Sequence, residues 1–259
     1  MFDTQSLQFS PARAEIFSAP ITCLPTPLPS DNLFGTAQTT TLAKGTPIHA
    51  MIGDSHAALY GHGVRRPGTA YALEGNITVS AQAAAFMAQM LGLNSPAALS
   101  DLAQTVPDSG GVSFVPALVG LGAPHWNDHA TGTGTVTGMT HATTPAHLAR
   151  ATFEAIALQV ADVFTAMEAD SADPLQEILA DGGASSNDFL ILLQADILTR
   201  PVQRAAVEEI GALGVAAMAF AAMGHPMTPI QTQPTRFTPQ THPANLLKTW
   251  QNALAKACL

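Results

Sequence analysis

From Pro145 to about Ala169 the chain carries apolar side chains at Ala149, Phe153, Ile156, Val160, Val163, Phe164 and Met167, mostly at three- and four-residue steps. Steps of that size put side chains on one face of a helix. A helix this long with an apolar face has to be laid against a core, so what flanks it sets the fold class. On one side, Val112-Ser113-Phe114-Val115-Pro116 reads as a strand leading into the loop 120-GLGAPHW-126, and the Gly/Thr-rich 131-TGTGTVTGM-139 reads as a turn or an extended hairpin. On the other, Glu177-Ile178-Leu179-Ala180 reads as a strand running into 181-DGGASSN-187, a helix from Asp188 to Leu198, and a short strand from Pro201 to Arg204. Strands alternating with helices predict an α/β layered domain.

The rest of the chain extends the same alternation. The first 47 residues hold prolines at 11, 20, 25, 27, 29 and 47, which predicts extended or loop structure around a short helix near Pro11 to Phe17. Ile48 to Ile52 is a strand candidate ending at Gly53-Asp54, and Ser55 to His62 is rich in helix formers. Residues 71-YALEGNITVS-80 predict a further strand region, and Ala81 to Leu91 a helix that stops at Gly92. The last core helix is expected from Glu208 to Met223, closing at Gly224. A Pro- and Thr-rich stretch from His225 to His242 follows, and then a terminal helix from Pro243 to Leu259 with Trp250 as its packing anchor.

Composition excludes several classes. With 47% hydrophobic and 11% charged residues the chain is globular. Alanine-rich runs such as 215-VAAMAFAAM-223 predict wide apolar faces that another domain could cover. A formal net charge of -9 with ten Lys and Arg, and no basic run, argues against nucleic acid and anionic membranes as partners. No uncharged apolar stretch reaches spanning length, and the N-terminus lacks the basic and apolar runs of a signal peptide. Cys23 and Cys258 form neither a metal motif nor a disulfide framework, so a cytoplasmic location is expected. Nine histidines are scattered along the chain and none forms an H-E-x-x-H pair, so no histidine metal site is expected.

Two segments carry chemistry. In 177-EILADGGASSNDFLILLQADIL-198 two glycines separate a strand from a helix. Such glycines let backbone N–H groups approach an anion, and the helix N-terminus favours negative charge, although the same turn also serves as a plain tight connection. Asp54 follows a strand and precedes a helix. Held at a sheet edge, its carboxylate could accept a proton from a hydroxyl attacking a phosphoryl group. An Asp in that place more often caps the helix, and spacing alone favours that reading.

Six segments, in order, resemble the signatures of the FGGY carbohydrate kinases. The run 53-GDSHAALYGHG-63 resembles G-D-Q-x-A-A-L-x-G, 71-YALEG-75 matches Y-x-L-E-G, and 114-FVPALVGLGAPHW-126 matches F-V-P-A-x-x-G-L-G-A-P-Y-W. Then 150-RATFEAIALQVADV-163 resembles R-A-x-L-E-x-I-A-x-Q, 181-DGGASSNDFLILLQADIL-198 resembles D-G-G-x-x-x-N-x-x-L-x-Q-x-x-A-D-I-L, and 208-EEIGALGVAAMA-219 matches E-x-T-A-L-G-A-A-x-x-A. The resemblance covers about residues 20 to 240. It implies an α/β actin-like ATPase (ribonuclease H-like) domain with a remnant of the preceding domain: 1–47 the remnant and linker, 48–229 the nucleotide-binding domain, 230–259 a tail and helix. In the family, two such domains close around a cleft, the first holding mainly sugar and the second mainly ATP. Asp54 matches the family's catalytic base, near Mg2+ and touching it through water. Gly182, Gly183, Ala184 and Asn187 match the segment that contacts adenine and ribose, which moves the D-G-G turn from phosphate to nucleoside. The implied cofactors are ATP and Mg2+. The implied partners are ATP or ADP, a sugar or polyol, and a separate N-terminal kinase half or a second copy.

Two departures from the family pattern bear on activity. The chain starts where the family's first domain is nearly finished, so the opening phosphate hairpin, its metal-binding Asp and most sugar contacts are not in this sequence. Between 63-GVRRPGT-69 and Tyr71 the family inserts a further phosphate-binding hairpin, T-Y-G-T-G-S, and here the chain passes directly to Y-A-L-E-G. Ala81 and Ala85 replace positions that in glycerol kinases are Gly and Gln near the nucleotide. The run 131-TGTGTVTG-138 is expected to be a hairpin rather than a substitute phosphate loop, and His125 and Trp126 are expected to pack the loop. These features together predict a chain that is incomplete or inactive as a kinase by itself.

Overall fold

A computed structural model describes residues 1–3, 5–39, 41–63, 75–126, 132–171, 174–227, 233–241 and 243–258. In chain order the elements are β1 (Phe2–Asp3), β2 (Gln8–Phe9), α1 (Pro11–Ile16), β3 (Gly35–Thr36), β4 (Pro47–Ile48), α2 (Asp54–Gly61), α3 (Ala81–Met90), α4 (Pro96–Ala103) and β5 (Ser113–Val115). They continue with β6 (Thr135–Thr137), α5 (Pro145–Asp170), β7 (Ile178–Ala180), α6 (Asp188–Leu198), β8 (Val202–Arg204), α7 (Ile210–Ala222), β9 (Thr235–Phe237) and α8 (Ala244–Ala257). Contacts divide the chain into two units, Met1–Arg65 with Gly211–Pro229, and Arg66–Ile210 with Ile230–Leu259.

The first unit is built from short pieces. β1 pairs with β2 and β3 with β4, both antiparallel. The strand expected over Ile48 to Ile52 is confined to Pro47–Ile48, because the Met51 amide donates to the Ser30 carbonyl rather than to a ladder. Ala14, Ala37 and Ala57 are the buried hydrophobic residues of this unit among those described, while Ile16, Phe17, Leu33, Leu42 and Met51 are exposed. α7 lies against α2 at Gly214, where an added Cβ would stand 1.9 Å from the Ala57 carbonyl oxygen. A glycine inside a helix costs stability, and here it allows backbone to meet backbone.

The second unit holds the main core, with α5 through its middle. The sequence pattern predicts one apolar face, yet every residue from Ala151 to Gln159 is buried. α3, α4, α6 and α8 all touch this helix, so its small side chains on the supposed outer face are covered as well. β5 pairs antiparallel with β6, as expected of an extended hairpin. β7 and β8 run parallel, and β9, unforeseen in the Pro/Thr-rich stretch, adds antiparallel to β8. α4 is also additional; Ser95 caps it by accepting from the Ala98 amide, with Pro96 in its first turn.

Gly75 to Ser80, expected as part of a strand, is not one. Its hydrogen bonds go to the neighbouring loop instead: the Ala123 amide donates to the Asn76 carbonyl at 2.8 Å and the Thr78 hydroxyl to the Gly120 carbonyl at 2.8 Å. Residues 71–74, the junction at 69–71 and the first residue of the 131–139 run lie outside the described residues. α8 is held by Trp250, 1% exposed, whose Nε1 donates to Asp162 Oδ2 at 2.7 Å.

Candidate functional site

Asp54 is the first residue of α2, and Gly53 occupies the cap position with no side-chain capping bond. Asp54 is therefore not the N-cap. Its Oδ1 accepts from the Ser55 amide at 2.8 Å and from the Ser55 hydroxyl at 3.3 Å, and the residue is exposed. A carboxylate in the first turn interacts favourably with the helix dipole and with the amides there. It presents a carboxylate oriented by its own helix end, the state a proton acceptor needs.

The loop after β7 is a compact turn. Gly182 has φ +80, a conformation that favours glycine, and its amide donates to the Glu208 carbonyl at 3.0 Å. Gly183–Ser186 then form one turn of 3-10 helix. The Ser185 hydroxyl donates to the Gly182 carbonyl and the Ser186 hydroxyl to the Gly183 carbonyl, each at 2.7 Å. Asn187 caps α6, with Oδ1 accepting from the Leu190 amide at 3.0 Å. Gly183 and Ala184 are exposed, whereas Gly182 and Asn187 are half-buried. The turn thus offers a face of small residues. An added Cβ at Gly183 would meet only Glu208 Oε1, at 3.1 Å.

The four loop residues stand together in the second unit, and Asp54 belongs to the first. Sequence reasoning missed what fixes the turn. Arg204 Nη1 donates to the Ser185 and Ser186 carbonyls, at 3.1 and 3.4 Å, and pairs with Asp188. It also missed the Arg150–Glu154 pair, 2.9 Å apart, for which the available signal was two charges one turn apart inside an otherwise apolar helix. His125 is tied down, its Nε2 2.9 Å from Asp162 Oδ2, whereas Trp126 is 63% exposed. Its φ of +45 turns the chain there. Among the described residues no group of three His, Cys, Asp or Glu could hold a metal, and no helix is long and apolar enough to cross a membrane. Both cysteines are free and exposed.

Residues 36–223 match the profile of the FGGY family of carbohydrate kinases, C-terminal domain. A glycerol kinase of Trichlorobacter lovleyi is 38% identical over 250 positions, covering 82% of this chain and 50% of that protein. An apulose kinase of Pectobacterium atrosepticum is 42% identical over 240 positions, covering 78% of this chain and 48% of that protein. The chain spans about half the length of these relatives. The first alignment uses 82% of 259 residues, about 212, across its 250 positions, so close to forty positions of that relative face no residue here. The solved structure of Plasmodium falciparum glycerol kinase with ADP superposes with a TM-score of 0.79 at 20% identity, covering all of this chain and 61% of that one. That likeness establishes the α/β, actin-like fold, and with the profile and the sequence relatives it shows that the chain belongs to the FGGY family of carbohydrate kinases.

Proposed function

We propose that the chain is the nucleotide-binding half of a cytoplasmic, ATP-dependent kinase acting on a sugar or polyol hydroxyl, and that it cannot turn over by itself. The observation that carries this reading is the turn from Gly182 to Asn187, rigidly capped, exposed at Gly183 and Ala184, and set in a family member. Adenine and ribose would lie on that small-residue face. Asp54 would accept the acceptor hydroxyl's proton as its oxygen bonds to the γ-phosphorus and the bond to ADP breaks. One exposed carboxylate suits Mg2+, which keeps most of its waters and binds through one or two carboxylates and phosphate oxygens; the ion would neutralise phosphate charge. Phosphoryl transfer depends on positioning and on preorganised donors. The positions without counterpart here, assigned by sequence to the 69–71 junction, would have supplied such donors. The nucleotide-binding part is assigned to residues 48–229.

Pairing with a first kinase domain is favoured over a purely regulatory module by the exposed Ile16, Phe17, Leu33, Leu42 and Met51 of the first unit. The test measures ADP release with Mg2+, ATP and a panel of polyols and ketoses, with and without an FGGY N-terminal domain added in trans. Turnover only in the mixture is expected. Turnover by the chain alone above about 1 s⁻¹, the low end for kinases, refutes its incompleteness.

A further inference from the structure

Arg204 is the last residue of β8, paired with Ala180 at the end of β7 on one side and with Thr235 at the start of β9 on the other. The chain leaves Ala180 straight for Asp181 and Gly182, so this side chain starts from the end of the sheet where the turn begins. Its Nη1 reaches the Ser185 and Ser186 carbonyls, at 3.1 and 3.4 Å, and the Asp188 carboxylate. Asp188 is 73% exposed, and an ion pair with so exposed a partner contributes little. The two carbonyls therefore matter more. They belong to a single 3-10 turn, whose hydrogen-bond geometry is poor, and the guanidinium adds charge-assisted donors to it.

What aims Arg204 comes from far along the chain. The guanidinium lies over the Phe237 ring of β9, 5.2 Å from the centroid, and that ring packs against the cluster of Ile191, Ala195 and Val202. An aromatic face holds a planar guanidinium by stacking and leaves its edge free to donate. β9 is fastened in turn. Arg236 Nη1 donates to Glu177 Oε2 at 2.9 Å, and just beyond the strand the Gln240 and Thr241 amides donate to Asp196 Oδ1, at 2.6 and 3.0 Å. Asp196 is buried and lies on α6, the helix that Asn187 caps. The segment from 235 to 241 is thus bonded to the sheet and to the helix on either side of the turn, and it reaches the turn through Arg204.

We propose, on the reading that Gly182 to Asn187 receive adenine and ribose, that Arg204 is a positioning residue for the nucleoside and that β9, through Phe237, sets how well the turn binds it. Arg204 acts through the backbone of the turn, and Phe237 acts through Arg204. Displacing β9 from β8 weakens nucleotide binding without anything entering the site.

The test is calorimetric titration of the full chain with ADP, at a temperature where circular dichroism shows each variant folded. Arg204→Met keeps an unbranched stem over Phe237 and removes the donors, and affinity should fall at least about tenfold, or 1.4 kcal/mol. Phe237→Leu keeps apolar contact and removes the ring, and should cost about threefold, the scale of one cation–π contact at a partly exposed site. Phe237→Tyr keeps the ring and should bind ADP as the parent does. A merely structural role would lower urea midpoints and leave the Kd of the folded protein unmoved. Should Arg204→Met fail to fold, the two Phe237 variants decide. Parent-like binding by Arg204→Met or Phe237→Leu, with binding abolished in Gly183→Val, overturns the role of Arg204 and leaves the nucleotide at the turn. No binding by the parent, or undiminished binding by Gly183→Val, overturns both.

Discussion

Replacing Gly214 by Ala should loosen α2, the helix that carries Asp54. The added Cβ would lie 1.9 Å from the Ala57 carbonyl oxygen, 2.8 Å from its carbon and 2.9 Å from the Gly61 nitrogen. Ordinary contact begins near 3.4 Å, so one backbone must withdraw by roughly 1.5 Å. Overpacking of this kind costs about 1–3 kcal/mol, and an obstacle of backbone rather than of flexible side chain puts the cost at the upper end. The gain in helix propensity from Gly to Ala returns roughly 1 kcal/mol. The net loss of about 2 kcal/mol corresponds to a roughly 30-fold rise in local opening. Hydrogen exchange read by mass spectrometry over residues 54–61 measures it directly. Gly211→Ala is the control, since the atom nearest its added Cβ, the Asp54 carbonyl oxygen, stands at 3.5 Å. There only the propensity gain remains, so protection should hold or rise. Equal exchange of α2 in the parent and the Gly214→Ala variant would refute the backbone-to-backbone packing of these two helices.

With an N-terminal domain supplied, Asp54→Asn should lower kcat by roughly 10²–10⁴ and leave the circular dichroism unchanged, because Asn retains an acceptor for the Ser55 amide. A variant that keeps most of the activity would remove Asp54 from the chemistry. Gly183→Val should fold, since Gly183 is not in the left-handed region and its one close neighbour is the mobile end of Glu208. ADP binding by calorimetry should be abolished; undiminished binding would place the nucleotide elsewhere. Burial raises the Glu154 carboxyl above its ordinary 4.5, with the Ser109 hydroxyl and Arg150 opposing it. The native state then holds this proton longer than the unfolded chain, so the associated stability is present below about pH 4.5 and is lost as pH rises through the native value. Urea midpoints of the parent should fall relative to Glu154→Gln over that window, and a difference that does not vary with pH would contradict it.

What could be read from the sequence was whatever local periodicity controls. The helix from Pro145 was visible because a 3.6-residue repeat survives in any surroundings, but its burial on every side was not, since alanines facing solvent and alanines facing four other helices look alike in one dimension. The turn from Gly182 to Asn187 was legible for a related reason: glycine at φ +80 and asparagine at a helix start are choices the backbone itself enforces. The same logic failed at Asp54. Gly53, which has no side-chain oxygen, took the cap position, and the carboxylate moved one residue into the helix, where its bonds go to Ser55. Nothing in spacing distinguishes these two registers. The partners lost to sequence reasoning are separated widely along the chain: Arg204 with the carbonyls of Ser185 and Ser186, and Trp250 with Asp162. Each joins segments whose approach is fixed by packing rather than by local pattern. Glu154 is the instructive intermediate case. Its partner lies one turn away and was readable, but its unbonded Oε2 was not, because an unmet polar group is defined by everything that fails to reach it. The family resemblance carried the identity of the fold, and the physical character of this acid had to come from coordinates.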